Sequence, residues 1–226
     1  MIRHKYLLFL LILVTFGYSQ NDFQDDKYRE DQIYLGVFYN SLNNTPDEFN
    51  QNKFSSSVNF GFIRDFPLNE NRNFGLGIGL GISKSSYHNN LIFSKTGGVY
   101  DININTDFDS FKKNKLIINE LEFPFEIRWR TSSPTNYRFW RIYLGLKTSY
   151  ILNSKIKYES EVARETISNL PFNKFQYGFT LNAGNNTWNL GLFMGLNPLF
   201  NDQFIKKHSN IKNIKQFKVG LVFYIL

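Results

Sequence analysis

Glu120, Glu122, Glu126, Arg128 and Arg130 recur at even spacing along one short stretch. In a strand, period two puts all five on one face. Arg141 and Lys147 share the corresponding face of the following segment. Carboxylates beside guanidinium and ammonium groups can move protons, hold an ion, or neutralise one another. Away from bulk water such charges must pair. The reading is therefore a luminal charge network of Glu120, Glu122, Glu126, Arg128, Arg141 and Lys147, filling and stiffening a barrel.

Other constellations carry less. Asp101, Asn103, Asn105, Asp107 and Asp109 form a row of oxygens at period two, as at the start of a calcium loop. Thr106 then stands where that loop needs its turn glycine, and Lys112 where it needs a bidentate glutamate. The row reads as the solvated face of a hairpin. Ser85, Ser86 and His88 could build a hydrolytic site at a barrel rim, but nothing in their spacing is specific. Gly75, Gly77, Gly79 and Gly81 lie inside one strand with no helix behind them, so they are not a dinucleotide fingerprint. With no cysteine, disulfides, thiolate metal sites and a cysteine nucleophile are excluded. No catalytic, cofactor-binding or metal residue is assigned, and the expectation is a non-enzymatic protein.

The elements that hold these residues are strands. From Phe74 to Ile82 every second residue is large and apolar and every residue between is glycine. Eight segments alternate in this way, near 32–41, 56–66, 73–84, 116–130, 139–151, 174–184, 187–197 and 215–225. Of the 15 glycines, Gly17 belongs to the N-terminal leader and Gly97 and Gly98 to a loop. All the others share the face opposite the bulky residues, together with the charged row. A soluble barrel turns its apolar face inward, and a transmembrane barrel turns it out. Phe, Trp and Leu from eight strands would overfill a narrow bore, whereas glycines and a few charges suit it. The expectation is an all-β fold: an eight-stranded antiparallel transmembrane β-barrel, with Phe123, Leu144 and Leu192 facing lipid.

The links alternate in length: long near 42–55, short at 67–72, very long near 85–115, short at 131–138, long near 152–173, a tight Asn185-Asn186 turn, and intermediate near 198–214. Outer-membrane barrels have short periplasmic turns and longer extracellular loops. That places both termini in the periplasm. Trp129, Trp140 and Trp188 then fall at the periplasmic interface, facing lipid as anchors, with Tyr39, Tyr150 and Phe175 in the opposite girdle.

Residues 1–19 read as a signal peptide: Arg3, His4 and Lys5, an apolar run from Tyr6 to Phe16, then Gly17-Tyr18-Ser19 before cleavage at Gln20. Residues 20–31 form a short periplasmic segment, and 32–226 the barrel. The formal charge of +7 is spread over the chain, so it does not indicate nucleic acid. Lys112, Lys113, Lys115, Lys206, Lys207, Lys212 and Lys215 lie in or beside the long loops, where they could meet anionic lipopolysaccharide.

Several of these segments resemble the PorT family (also called SprT) of the type IX secretion and gliding machinery of Bacteroidetes. They are Arg29-Glu30-Asp31-Gln32; Gly61-Phe62-Ile63-Arg64-Asp65; ELEFPFEIRWRTS from Glu120; FWRIYLGLK from Phe139; FQYGFTLNAGNNTWNLGLFMGLNPLF from Phe175; and the closing KVGLVFYIL. The long loops near 85–115 and 152–173 show no matching feature. The resemblance implies an integral outer-membrane component required for export of cargo proteins. Its implied partners are other type IX secretion components, outer-membrane lipid and lipopolysaccharide, and the barrel-assembly machinery during biogenesis. No catalytic motif and no cofactor come with it. The sequence leaves other functions open: a small adhesion or lipopolysaccharide-contacting barrel unrelated to secretion, or a rim-located enzyme.

Overall fold

The computed structural model describes residues 31–51, 53–107, 111–131 and 139–225. The signal peptide, all of the following segment but Asp31, most of the short 131–138 link and Asp109 lie outside them.

Eight strands close into an antiparallel barrel in simple up-and-down order: β1 (Gln32–Asn43), β2 (Ser56–Pro67), β3 (Phe74–His88), β6 (Lys113–Arg130), β7 (Trp140–Glu159), β9 (Phe175–Asn185), β10 (Trp188–Gly195) and β11 (Lys215–Ile225). Each pairs with its neighbours in the chain, and β1 closes the ring against β11, with Val37 opposite Leu221. A closed ring leaves no free backbone edge within the barrel wall, which a lipid environment requires. Among the described residues no helix is long and apolar enough to cross a membrane.

Along the apolar band the eight barrel strands alternate buried residues with exposed or half-buried ones, and the outward ones are mostly apolar, with exceptions such as Arg64 and Thr148. Phe123 is 43% exposed and Leu144 is 54% exposed, while Leu192 is half-buried on the same outer face. Glu120, Glu122, Glu126 and Arg128, one residue out of phase with them, are all buried. A continuous apolar outer surface of this extent marks contact with membrane.

The bore is narrow enough that the glycines have a specific task. A Cβ on Gly77 would come within 2.5 Å of Arg128 Nε. One on Gly81 would collide with the Tyr34 hydroxyl. Glycine is thus the residue over which inward-pointing rings and guanidinium groups can lie flat.

The long links hold more structure than the sequence suggests. Strands β3, β6 and β7 run on past the apolar band. Between β3 and β6 stands a hairpin of β4 (Leu91–Thr96) and β5 (Val99–Ile104), turned by Gly97 and Gly98 at φ of 59° and 84°. Strand β8 (Arg164–Ser168) folds back on β7, and a short helix α1 (Asp202–Ile205) lies between β10 and β11. These pieces share a dry core containing Leu91, Phe93, Ile102, Leu116, Ile156, Phe172, Phe200, Phe204 and Ile214. Its rings pack closely: Phe172 meets Phe200 edge-on with centroids at 5.1 Å, and Phe200 stacks with Phe204 at 5.5 Å. The result is a packed cap over the long-loop mouth. At the other end β9 and β10 are joined through Asn186-Thr187, one residue later than the sequence reading, with Asn186 at φ 55°. Asparagine tolerates that left-handed conformation.

Candidate functional site

Among the described residues nine charged side chains are buried in the bore: Asp65, Glu120, Glu122 and Glu126 against Arg128, Arg130, Arg141, Lys147 and Lys218. They form three tiers.

Nearest the short turns, Asp65 on β2 accepts a two-pronged contact from Arg130. Nη1 donates at 2.8 Å and Nη2 at 2.7 Å, and Arg130 Nε donates to the Arg72 carbonyl at 2.9 Å. Arg128 donates to Asp65 at 3.3 Å, to Glu126 at 3.0 Å and to Gln32 at 3.2 Å. The parallel fork between guanidinium and carboxylate is the strong form of this contact. In the middle, Lys147 donates to Glu122 at 2.7 Å, and Asn59 donates to the other Glu122 oxygen at 3.3 Å. Beneath the cap, Lys218 donates to Glu120 at 3.3 Å and to Ser85 at 2.9 Å. Gln216 and Ser83 also donate to Glu120, and Tyr87 donates to Gln216 at 2.9 Å, joining this tier to the cap core.

Arg141 departs from the expectation that it would pair with a carboxylate. Its guanidinium stacks on Phe139 at 4.5 Å and also lies near the rings of Tyr224 and Tyr143, while its Nε and Nη1 make no hydrogen bond. The carboxylates of the first tier are taken by Arg128 and Arg130. Among the described residues Arg141 is therefore held by aromatic quadrupoles rather than by a carboxylate, a favourable place for a cation.

Three members of the network lie outside the sequence reading's set: Arg130, which that reading places on the inward row only, and Asp65 and Lys218, which it does not place there. Asp65 is the hub of the first tier and Lys218 the base of the third. Asp65 and Lys218 carried a signal: each shares the parity of its strand's glycines, Gly61 and Gly220.

Between the lower tiers remains a void of about 30 Å³, lined by residues that include Asn59, Glu122, Glu126, Lys147 and Thr180. That is room for one or two water molecules, and among the described residues the bore around it is filled by buried side chains. The imagined rim triad is split by the strand pleat. Ser85 points into the bore toward Lys218, whereas Ser86 donates to the Ser56 carbonyl and His88 Nδ1 lies 2.9 Å from the Phe54 carbonyl. Asp101 and Asn103 lie on the exposed face of β5, and the described residues contain no group of three or more metal-binding side chains.

On the outer wall Trp129, Trp140 and Trp188 all sit at the short-turn end. Trp140 and Trp188 both flank Asn185, and Trp129 pairs with Ile142. Each is exposed, and Trp188 meets Phe223 edge-on at 4.7 Å. Tyr150 and Phe175 pack edge-on at 5.2 Å toward the opposite end.

Residues 18–201 match the family described as "Outer membrane protein beta-barrel domain". No curated protein matches the chain. Two solved structures of Ail, the attachment invasion locus protein of Yersinia pestis, are similar at 11% identity. One, in complex with the heparin analogue sucrose octasulfate, covers 87% of this chain and 99% of its own at a TM-score of 0.39. The other covers 86% and 97% at 0.38.

Proposed function

We propose that this chain, which belongs to the outer membrane protein beta-barrel domain family and is an outer-membrane β-barrel, works in type IX protein secretion as a non-enzymatic scaffold. The observation that carries the scaffold reading is the closed bore. Three tiers of paired charge fill it, and a packed cap covers its long-loop mouth. A barrel stopped in this way passes no cargo itself and acts through its surfaces. The resemblance of the Glu120 to Ser132 stretch, the Phe175 to Phe200 stretch and the closing strand to the PorT/SprT family supports the apparatus.

In this reading both termini and the three tryptophans lie on the periplasmic side, and the cap faces outward. The partners are other components of the apparatus, reached from the short turns or from the cap. Deleting the gene is expected to abolish cargo export and to leave outer-membrane integrity intact, and normal export in the deletion strain overturns the assignment. Crosslinkers placed on the short turns and on the cap in native membranes then report which side carries the contacts. Planar-bilayer recordings test the closed bore directly: the expected result is no steady conductance, and an open aqueous channel contradicts the scaffold reading.

A further inference from the structure

Past the apolar band, the outer wall of β3, β6, β7 and β8 changes chemistry within one rung. The last apolar rung is Ile82, Leu121 and Tyr150, paired in register. The next carries Lys84, Asn119 and Asn153; then come Ser86, Ile117, Lys155 and Ser168; then His88, Lys115, Lys157 and Thr166. Directly paired residues share one face of a sheet. Four lysines and a histidine therefore gather on one face: Lys84 is exposed, His88, Lys115, Lys155 and Lys157 are half-buried, and Ser86 and Ile117 between them are buried.

No carboxylate stands in these three rungs. The ion pairs nearby are Lys112 with Glu161 at 3.6 Å and Arg164 with Glu159, and neither uses these lysines. Lys115 and Lys157 are direct cross-strand partners, and His88 faces Lys115 from its other side. Like charges so placed repel. Burial first, and then Lys113, Lys84 and Lys157, push the Lys115 ammonium pKa below its ordinary value.

The fold has gone out of its way to build this face. Glu120 pairs with Ile151 but Asn119 pairs with Asn153, so Leu152 is an extra residue in β7. Such a bulge reverses which side later residues face. Without it Lys155 and Lys157 would continue the inner row that Ile151 ends. With it they stand outside, above lipid-facing Tyr150. Ser168, Thr166 and Asn153 add hydroxyl and amide donors beside them. Three rungs on four strands cover roughly 14 Å by 14 Å.

We propose that this face binds the phosphate groups of the lipid surrounding the long-loop end, which in an outer membrane is lipopolysaccharide. The apolar rung of Ile82, Leu121 and Tyr150 directly beneath selects a lipid headgroup over a soluble anion, because the acyl chains of the same molecule lie against that rung. The inference rests on the outward placement of the cap.

The full barrel in detergent is titrated with purified lipopolysaccharide, with the same material after dephosphorylation, and with phosphatidylglycerol. At about 1 kcal/mol per lysine near an anionic surface, K115Q/K157Q is expected to weaken binding by about 10-fold or more. Dephosphorylation should do the same to the wild type and add little to the variant. K206Q/K207Q, on the cap, should leave binding unchanged, and K84Q/K155Q provides a second charge-neutralised pair should the first fold poorly. Equal binding by wild type and K115Q/K157Q, an equal loss in K206Q/K207Q, or equally tight binding of phosphatidylglycerol each overturns the proposal. Cell fractionation and labelling of V162C, at a position 96% exposed beside β8 in a chain with no cysteine of its own, with a membrane-impermeant maleimide on whole cells report the placement separately. A thiol that stays unlabelled on whole cells and labels after lysis sinks the placement and leaves the titration readable.

Discussion

The bore and the cap both stop the same tube, and they do so with opposite chemistry. The bore uses nine charged groups tied by short contacts. The cap uses stacked phenylalanines and aliphatic side chains. The difference follows from what surrounds each. The cap projects past the apolar band into water, where burying apolar surface drives its pieces together. The barrel wall faces lipid, which is as apolar as leucine, so sorting apolar groups inward gains nothing there. What remains for the bore is polar pairing, which is strong in a low-dielectric tube and costly when incomplete.

The comparison breaks most readily at Asp65. Asp65→Leu leaves Arg128 and Arg130 without their shared carboxylate and is expected to cost about 3–5 kcal/mol. It should lower the urea midpoint of the whole barrel, read by tryptophan emission, since all three tryptophans sit on the barrel wall. A midpoint unchanged from wild type would mean that the tier adds nothing to the fold.

In the cap, Phe200→Ala is expected to cost about 3 kcal/mol, but locally. The loops should become protease-sensitive while the tryptophan transition stays in place. If the two readouts moved together, cap and barrel would be one cooperative unit.

The middle tier sharpens the contrast. Lys147→Met alone should cost about 3 kcal/mol by stranding Glu122, whereas adding Glu122→Leu should recover most of that loss, to within about 1 kcal/mol of wild type. A double variant as unstable as the single would show that the pair has a role apolar packing cannot replace. Arg141→Met is expected to have the smallest effect, neutral or stabilising by about 1 kcal/mol, because two guanidinium nitrogens lack acceptors. A large loss in the same urea titration would show that the stacking on Phe139 and Tyr224 outweighs those missing bonds.

Much of the fold was legible because parity in a strand is local. Gly75 to Gly81 interleaved with Phe74 to Ile82 fixes two faces without knowledge of any neighbour. The size of the apolar face then decides which side is inside. The eight segments, the lipid-facing tryptophans and the inward row from Glu120 to Arg130 all follow from that one rule. Less legible was the cap. Leu91, Phe93, Ile102, Phe172 and Phe200 lie in stretches too irregular for a period, and only Gly97-Gly98 marks a turn there.

The sequence by itself determined the number of barrel strands, their register of faces and the chemistry of each face, because side-chain direction alternates with every residue. Only the tertiary structure decided who meets whom. Asp65 and Arg130 are 65 positions apart, and their contact depends on how far each strand is shifted against the next around the ring. The extra residue at Leu152 turned Lys155 and Lys157 outward, a reversal that no pattern upstream of it announces.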